Sequence, residues 1–191
     1  MRAEYINADD LKKICRFMQN DNTLALTVAS KSGLRISDVL KIKPSDIDGT
    51  TIHYTAMKTG KKGSFRLPKK TIEQMFANSN DLWVFPSPRD PQKHKTRQAV
   101  YSDMTKARDI AKIKTHVTPH STRRLFAVEV ANSKGIHTAM ERLQHSSPDI
   151  TKLYITTPDD VPAWAYKIAD YIIDRITKNV AELFDKYIPS V

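Results

Sequence analysis

This 191-residue sequence contains a single cysteine, Cys15, so no disulfide can close within the chain and a reducing compartment suits it. Cys15 itself reads as a small apolar residue on a helix. No apolar run approaches the length of a membrane span, and the opening residues lack the pattern of a secretory signal, so a cytoplasmic chain with no membrane partner is expected. There is no internal repeat, no low-complexity segment, no Gly-rich phosphate loop and no Cys/His zinc spacing. These absences set aside solenoids, P-loop enzymes and zinc modules. The length suits one domain with a sizeable core.

Positive charge is abundant. The formal charge is +10 with a pI near 9.6, and its distribution is uneven. Between Pro86 and Arg124 stand ten Lys or Arg against Asp90, Asp103 and Asp109, whereas Pro158 to Val191 carries a net −2. A positive body with an acidic tail is the electrostatic footprint of a phosphate-backbone binder. A solvated basic surface would give the same total, so charge suggests nucleic acid without establishing it.

The chain reads as mostly helical with one small sheet near the front. Asn7 is placed to cap a helix with Leu11, Ile14, Cys15 and Met18 on one face. A second helix runs from about Asn22 to Ser32 and stops at Gly33, and a short one follows over Ser37–Ile42. Thr51–Met57 and Ser64–Pro68 flank Thr-Gly-Lys-Lys-Gly, a hairpin signature. Leu82–Phe85 reads as a third strand and Lys95–Lys112 as a helix. Thr118-Pro119 starts another helix that ends at Gly135. Thr138–Leu143, Ser147–Tyr154 and about Ala165–Lys186 complete the helices.

Five short pieces carry the chemistry: Arg35 in Gly-Leu-Arg-Ile-Ser-Asp, Lys58 at the lip of the hairpin, His120 and Arg123 three residues apart, His145 in Leu-Gln-His-Ser, and Tyr154 nine residues later. The i, i+3 spacing puts His120 and Arg123 on one helix face. Singly, each has a bland explanation: a surface arginine paired with Asp38, a turn lysine, a histidine near a helix N-terminus, a tyrosine packing its ring. Their order and spacing are what single them out.

In that order and spacing the sequence resembles the tyrosine recombinase (phage integrase) family, whose site reads Arg, Lys on a β-hairpin, His-x-x-Arg, His or Trp, then Tyr. The likeness covers about Thr23 to Ile155 and is strongest in PHSTRRLFAVEVANSKGI and in LQHSS…LYI. Two neighbours depart from the pattern: Gln144 stands where the family commonly has Gly, and Thr122 where it usually has Leu. The resemblance implies an α+β, mainly α, catalytic domain with a small antiparallel sheet and a long C-terminal helix, divided as 1–157 and a 158–191 tail. It implies a site-specific recombinase or integrase that breaks and rejoins DNA through a 3′-phosphotyrosyl bond, with no metal and no cofactor.

Residue by residue, it implies that Arg35 and Arg123 clamp the scissile phosphate with planar guanidinium forks. His145 would donate a further hydrogen bond. Tyr154 would be the nucleophile, its hydroxyl needing help because an unperturbed phenol ionises near pH 10. His120 is the candidate base or orienter, Lys58 the candidate acid, and Asp38 would orient Arg35. Lys61, Lys62 and Arg124 read as phosphate contacts. His53, His94, His116, His137, Tyr101, Tyr166 and Tyr171 have no place in the pattern.

The implied partners are double-stranded DNA, further copies of the chain in a tetramer, and accessory DNA-bending or directionality proteins. Family members usually carry a helical DNA-binding domain ahead of this one, and only six residues precede Asn7; a fragment, or reliance on another partner, is the expectation. In the tail, Tyr166, Ala169, Ile173, Ile176, Val180, Leu183 and Tyr187 form a heptad stripe. It suits packing either on the chain's own core or on a neighbouring protomer. The alternatives are a type IB topoisomerase-like relaxing enzyme, against which the His120–Arg123 pair argues, and a catalytically inactive DNA-binding module, which predicts a missing catalytic residue.

Overall fold

The computed structural model describes residues 4–57, 60–144 and 151–152. Helix α1 (Ala8–Cys15) starts at Asn7, whose side-chain oxygen accepts from the Asp10 N–H at 2.8 Å. Its Leu11 and Ile14, together with Met18 just beyond, enter the core, as the periodicity requires. Helix α2 (Asn20–Ser32) lies at the centre: Leu24, Ala25, Leu26, Val28 and Ala29 are all buried, and it packs against α3, α4 and α6. It ends at Gly33, φ 72°, a left-handed residue that costs glycine nothing. A Cβ there would meet the Phe126 ring at 2.4 Å, so packing as well as backbone sign demands glycine.

Arg35 is the N-cap of the short helix α3 (Ile36–Val39). A 3-10 turn (Pro44–Asp46) leads into the sheet, β1 (Ile47–Asp48), β2 (Thr51–Thr55) and β3 (Lys62–Arg66), antiparallel in the order β1-β2-β3. The hairpin register pairs Ile52 with Phe65 and Tyr54 with Gly63. Alternation along β2 buries Ile52 and exposes His53. Helix α4 (Lys69–Asn78) turns Ile72 and Met75 inward.

Three expectations are corrected here. The third strand is Ile47–Asp48, not Leu82–Phe85. The latter buries Val84 and Phe85 and is held by separate bonds, Val84 N–H to the Ile42 carbonyl at 3.0 Å and Lys95 N–H to the Phe85 carbonyl at 2.7 Å, rather than by a strand ladder. Helix α4 stands where no element was expected. Lys95, counted with the DNA-facing charge, is only 2 % exposed and precedes helix α5 (Arg97–Ile110). Its ammonium pairs with Asp21 and donates to Asn22 Oδ1 at 3.0 Å. Asn22 in turn donates to Asp103 at 2.7 Å, so this charge is spent inside the protein, tying α2 to the start of α5.

Helix α6 (Pro119–Lys134) opens with Thr118 accepting from the His120 N–H and Ser121 accepting from the Thr118 N–H, a reciprocal cap. Gly135 separates it from α7 (Ile136–Leu143). Phe126, Ala127, Val130, Ala139 and Leu143 form a small apolar cluster between these two helices. Thr151 and Lys152 are helical. The rest of the expected Ser147–Tyr154 helix, and the 158–191 tail with its heptad stripe, lie outside the described residues, as do Lys58, His145 and Tyr154. No helix among the described residues is long and apolar enough to cross a membrane.

Candidate active site

Arg35, His120 and Arg123, far apart in sequence, line one cleft of about 550 Å³. Two local designs bring them there. Gly33 reverses the chain at the end of α2 so that Arg35 leaves the α3 N-terminus toward the cleft. The Thr118 cap starts α6 so that His120 and Arg123, one turn apart, look the same way.

Arg123 is 3 % exposed. One terminal nitrogen donates to the Gly33 carbonyl at 2.5 Å and the other to the Leu143 carbonyl. The guanidinium therefore grips the backbone two residues before Arg35 and two residues before His145. A delocalised, weakly hydrated cation with five donors can do this and still line a cleft. Arg35 is half-buried, and no described residue makes a hydrogen bond or ion pair with its guanidinium. Its donors are open to an anion in the cleft.

Asp38 is 6 % exposed, and one carboxylate oxygen accepts from the Met57 N–H at 3.1 Å. Among the described residues it makes no ion pair with Arg35. What it holds is the peptide immediately ahead of Lys58, so the hairpin lip is fastened to the α3 helix. Lys61 and Lys62 are exposed on the same hairpin, and Arg124 is half-buried beside Arg123.

Loss of hydration and then the charges of Arg123, Arg35, Arg124 and Arg97 push the His120 imidazole down to about 4. The residue as a whole is exposed, so the guanidinium charges are the more durable cause. The imidazole is thus neutral at pH 7 and able to accept a proton. A histidine in an unfolded chain titrates near 6.5. His120 therefore favours the folded state above that pH, and loses this contribution as pH falls through the window toward 4. We expect its NMR titration to fall well below 6.5 in the ligand-free protein and to move upward in Arg35→Ala. A midpoint at or above 6.5 would remove the arginines' influence.

The same cleft is walled by Arg97, Gln98, Tyr101 and His116, which the spacing argument passed over. A signal was present: Arg97 follows the Thr96 cap, and Tyr101 lies four residues on, on the same face of α5. His53 is exposed on β2, and His94 stacks edge-on against Trp83 at 5.2 Å. Among the described residues, no group of His, Cys, Asp or Glu is arranged to hold a metal ion.

Residues 4–160 match the phage integrase family. A putative integrase/recombinase of Sinorhizobium fredii is 32 % identical over 140 residues, 68 % of this chain and 44 % of the relative. The tyrosine recombinase XerC of Mesorhizobium japonicum is 29 % identical over 143 residues, 70 % of this chain and 46 % of the relative. The chain thus spans about half the length of such relatives. In fold it is similar to lambda integrase, solved as a dimer bound to a COC′ core site, with a TM-score of 0.72 at 21 % identity over 83 % of this chain and 61 % of that one. It is also similar to XerA recombinase, with a TM-score of 0.68 at 18 % identity over 100 % of this chain and 67 % of that one. The ordered residues, the mainly helical fold with its small antiparallel sheet, and the match over most of its length agree: the chain belongs to the phage integrase family of tyrosine recombinases.

Proposed function

We propose that this chain is the strand-transfer domain of a site-specific DNA recombinase or integrase, breaking and rejoining DNA through a 3′-phosphotyrosyl bond. The observation that carries the reading is the convergence of Arg35, His120 and Arg123 on one cleft, with the backbone ahead of Lys58 and ahead of His145 fastened to the same elements. In this reading the Tyr154 oxygen attacks the scissile phosphorus and forms the phosphotyrosyl ester. The bond from phosphorus to the 5′-oxygen breaks. Neutral His120 accepts the tyrosyl proton, and Lys58 gives one to the departing 5′-oxygen. Arg35, Arg123 and His145 stabilise the charge on the nonbridging oxygens. Attack by a 5′-hydroxyl of a second strand reverses each step.

Duplex DNA and further copies of the chain are the partners this requires. Lambda integrase, its structural neighbour, has been solved as a tetramer bound to a Holliday junction. Incubating the full chain with a nicked suicide duplex, without added metal, should trap protein on a DNA 3′-phosphate. Recovery of all DNA free of protein after denaturation and gel separation would overturn the reading.

A further inference from the structure

Gln144 closes α7 in the left-handed conformation, φ 54° and ψ 38°. Apart from Lys112 it is the sole non-glycine residue with positive φ among those described, and a side chain there strains the backbone. Something must hold it. Its amide Nε2 donates to the Tyr54 hydroxyl oxygen at 3.1 Å, across 90 residues of sequence.

The acceptor is equally built. Tyr54 stands on β2 opposite Gly63, where a Cβ would come within 2.7 Å of the Tyr54 hydroxyl oxygen. Glycine leaves room for the ring to lie across β3. Tyr54 also touches Phe65, with ring centroids 5.9 Å apart. Burial pushes the Tyr54 pKa up, the Arg123 charge opposes this and Asp38 adds to it, so the hydroxyl remains protonated at neutral pH and keeps an oxygen that accepts.

The positions of the two residues give the bond its meaning. Tyr54 is on the strand that leads, four residues later, to Lys58. Gln144 immediately precedes His145. We infer that Gln144 and Tyr54 are a positioning pair, which couples the strand leading to Lys58 to the end of α7, from which the chain runs on to His145. The inference rests on the function proposed above. Neither residue touches the scissile phosphate; they act by holding two groups that would. Asp38 fastens the hairpin to α3, Arg123 fastens α6 to the end of α7, and the Tyr54–Gln144 bond joins the hairpin directly to that end.

The test is single-turnover adduct formation on a suicide duplex at saturating full-length protein, in Tyr54→Phe, Gln144→Ala and the double variant. Each single change should slow adduct formation roughly ten-fold, equivalent to about 1.4 kcal/mol. The loss in the double variant should fall well short of the product of the two single losses, because both changes remove the bond that the residues share. DNA affinity and Tm should stay at wild-type values. Gln144→Glu, whose carboxylate can accept from the tyrosine hydroxyl, should restore the rate when Tyr54 is present and not in Tyr54→Phe. Wild-type rates in either single variant, multiplicative losses in the double, or losses that follow a falling Tm would overturn the inference. A wild-type protein that forms no adduct would instead strike the proposed function, so the two failures are distinguishable.

Discussion

Tyr154→Phe is expected to abolish the covalent protein–DNA adduct while leaving affinity for duplex DNA nearly intact. The change removes one oxygen and leaves the aromatic ring. Affinity for DNA should come mainly from Lys and Arg contacts to phosphates, which do not need that oxygen. A phosphotyrosyl ester, by contrast, cannot form without it, and the loss is total rather than graded. The measurement is adduct trapping beside a binding titration at fixed salt. If Tyr154→Phe still forms adduct, the nucleophile is elsewhere. Peptide mapping would then turn first to Tyr101, whose side chain lines the cleft with Arg35, His120 and Arg123.

The two arginines should fail in different ways. Arg35 is half-buried with no described partner, so Arg35→Ala should change stability little, by less than about 1 kcal/mol. It should still slow cleavage by roughly 10²–10³, the cost of losing one donor to transition-state charge. Arg123→Ala removes the same kind of donor and also strands the Gly33 and Leu143 carbonyls in a buried site. Each orphaned group costs about 1–3 kcal/mol, so this variant should lose several kcal/mol of stability as well as its chemistry. Urea unfolding beside single-turnover cleavage separates the two effects; equal stability of the two variants would contradict the anchoring role of Arg123. A substrate with sulfur at the bridging 5′ position adds a control. Thiolate leaves without a proton, so Lys58→Ala should be rescued while neither arginine variant is. Equal rescue of all three would remove Lys58 from the acid role.

Much of the fold was legible because its punctuation is local. Asn7, Gly33, Thr118-Pro119 and Gly135 mark helix ends through caps and backbone sign, which involve residues only a few positions apart. The hairpin was legible for the same reason. Helix α4 was missed: its buried Thr71, Ile72 and Met75 are few and follow two lysines, and the helix is held by α2. Strand β1 was missed because two residues carry no periodicity; pairing with β2 defines it.

For the candidate site, the order of Arg35, Lys58, His120, Arg123, His145 and Tyr154 was determined by the sequence alone, and with it the family and the expected chemistry. Residue types and intervals are one-dimensional properties, and the proposed attack on a phosphate calls for those residue types. Tertiary structure alone decided how the pieces are held. It turned Asp38 to the Met57 backbone, buried Lys95 against Asp21, and set Arg97, Gln98, Tyr101 and His116 in the cleft wall. It also joined Tyr54 to Gln144. These contacts link residues from 19 to 90 positions apart. No local propensity encodes such distances; they arise when helices pack around α2 and buried polar groups must find partners.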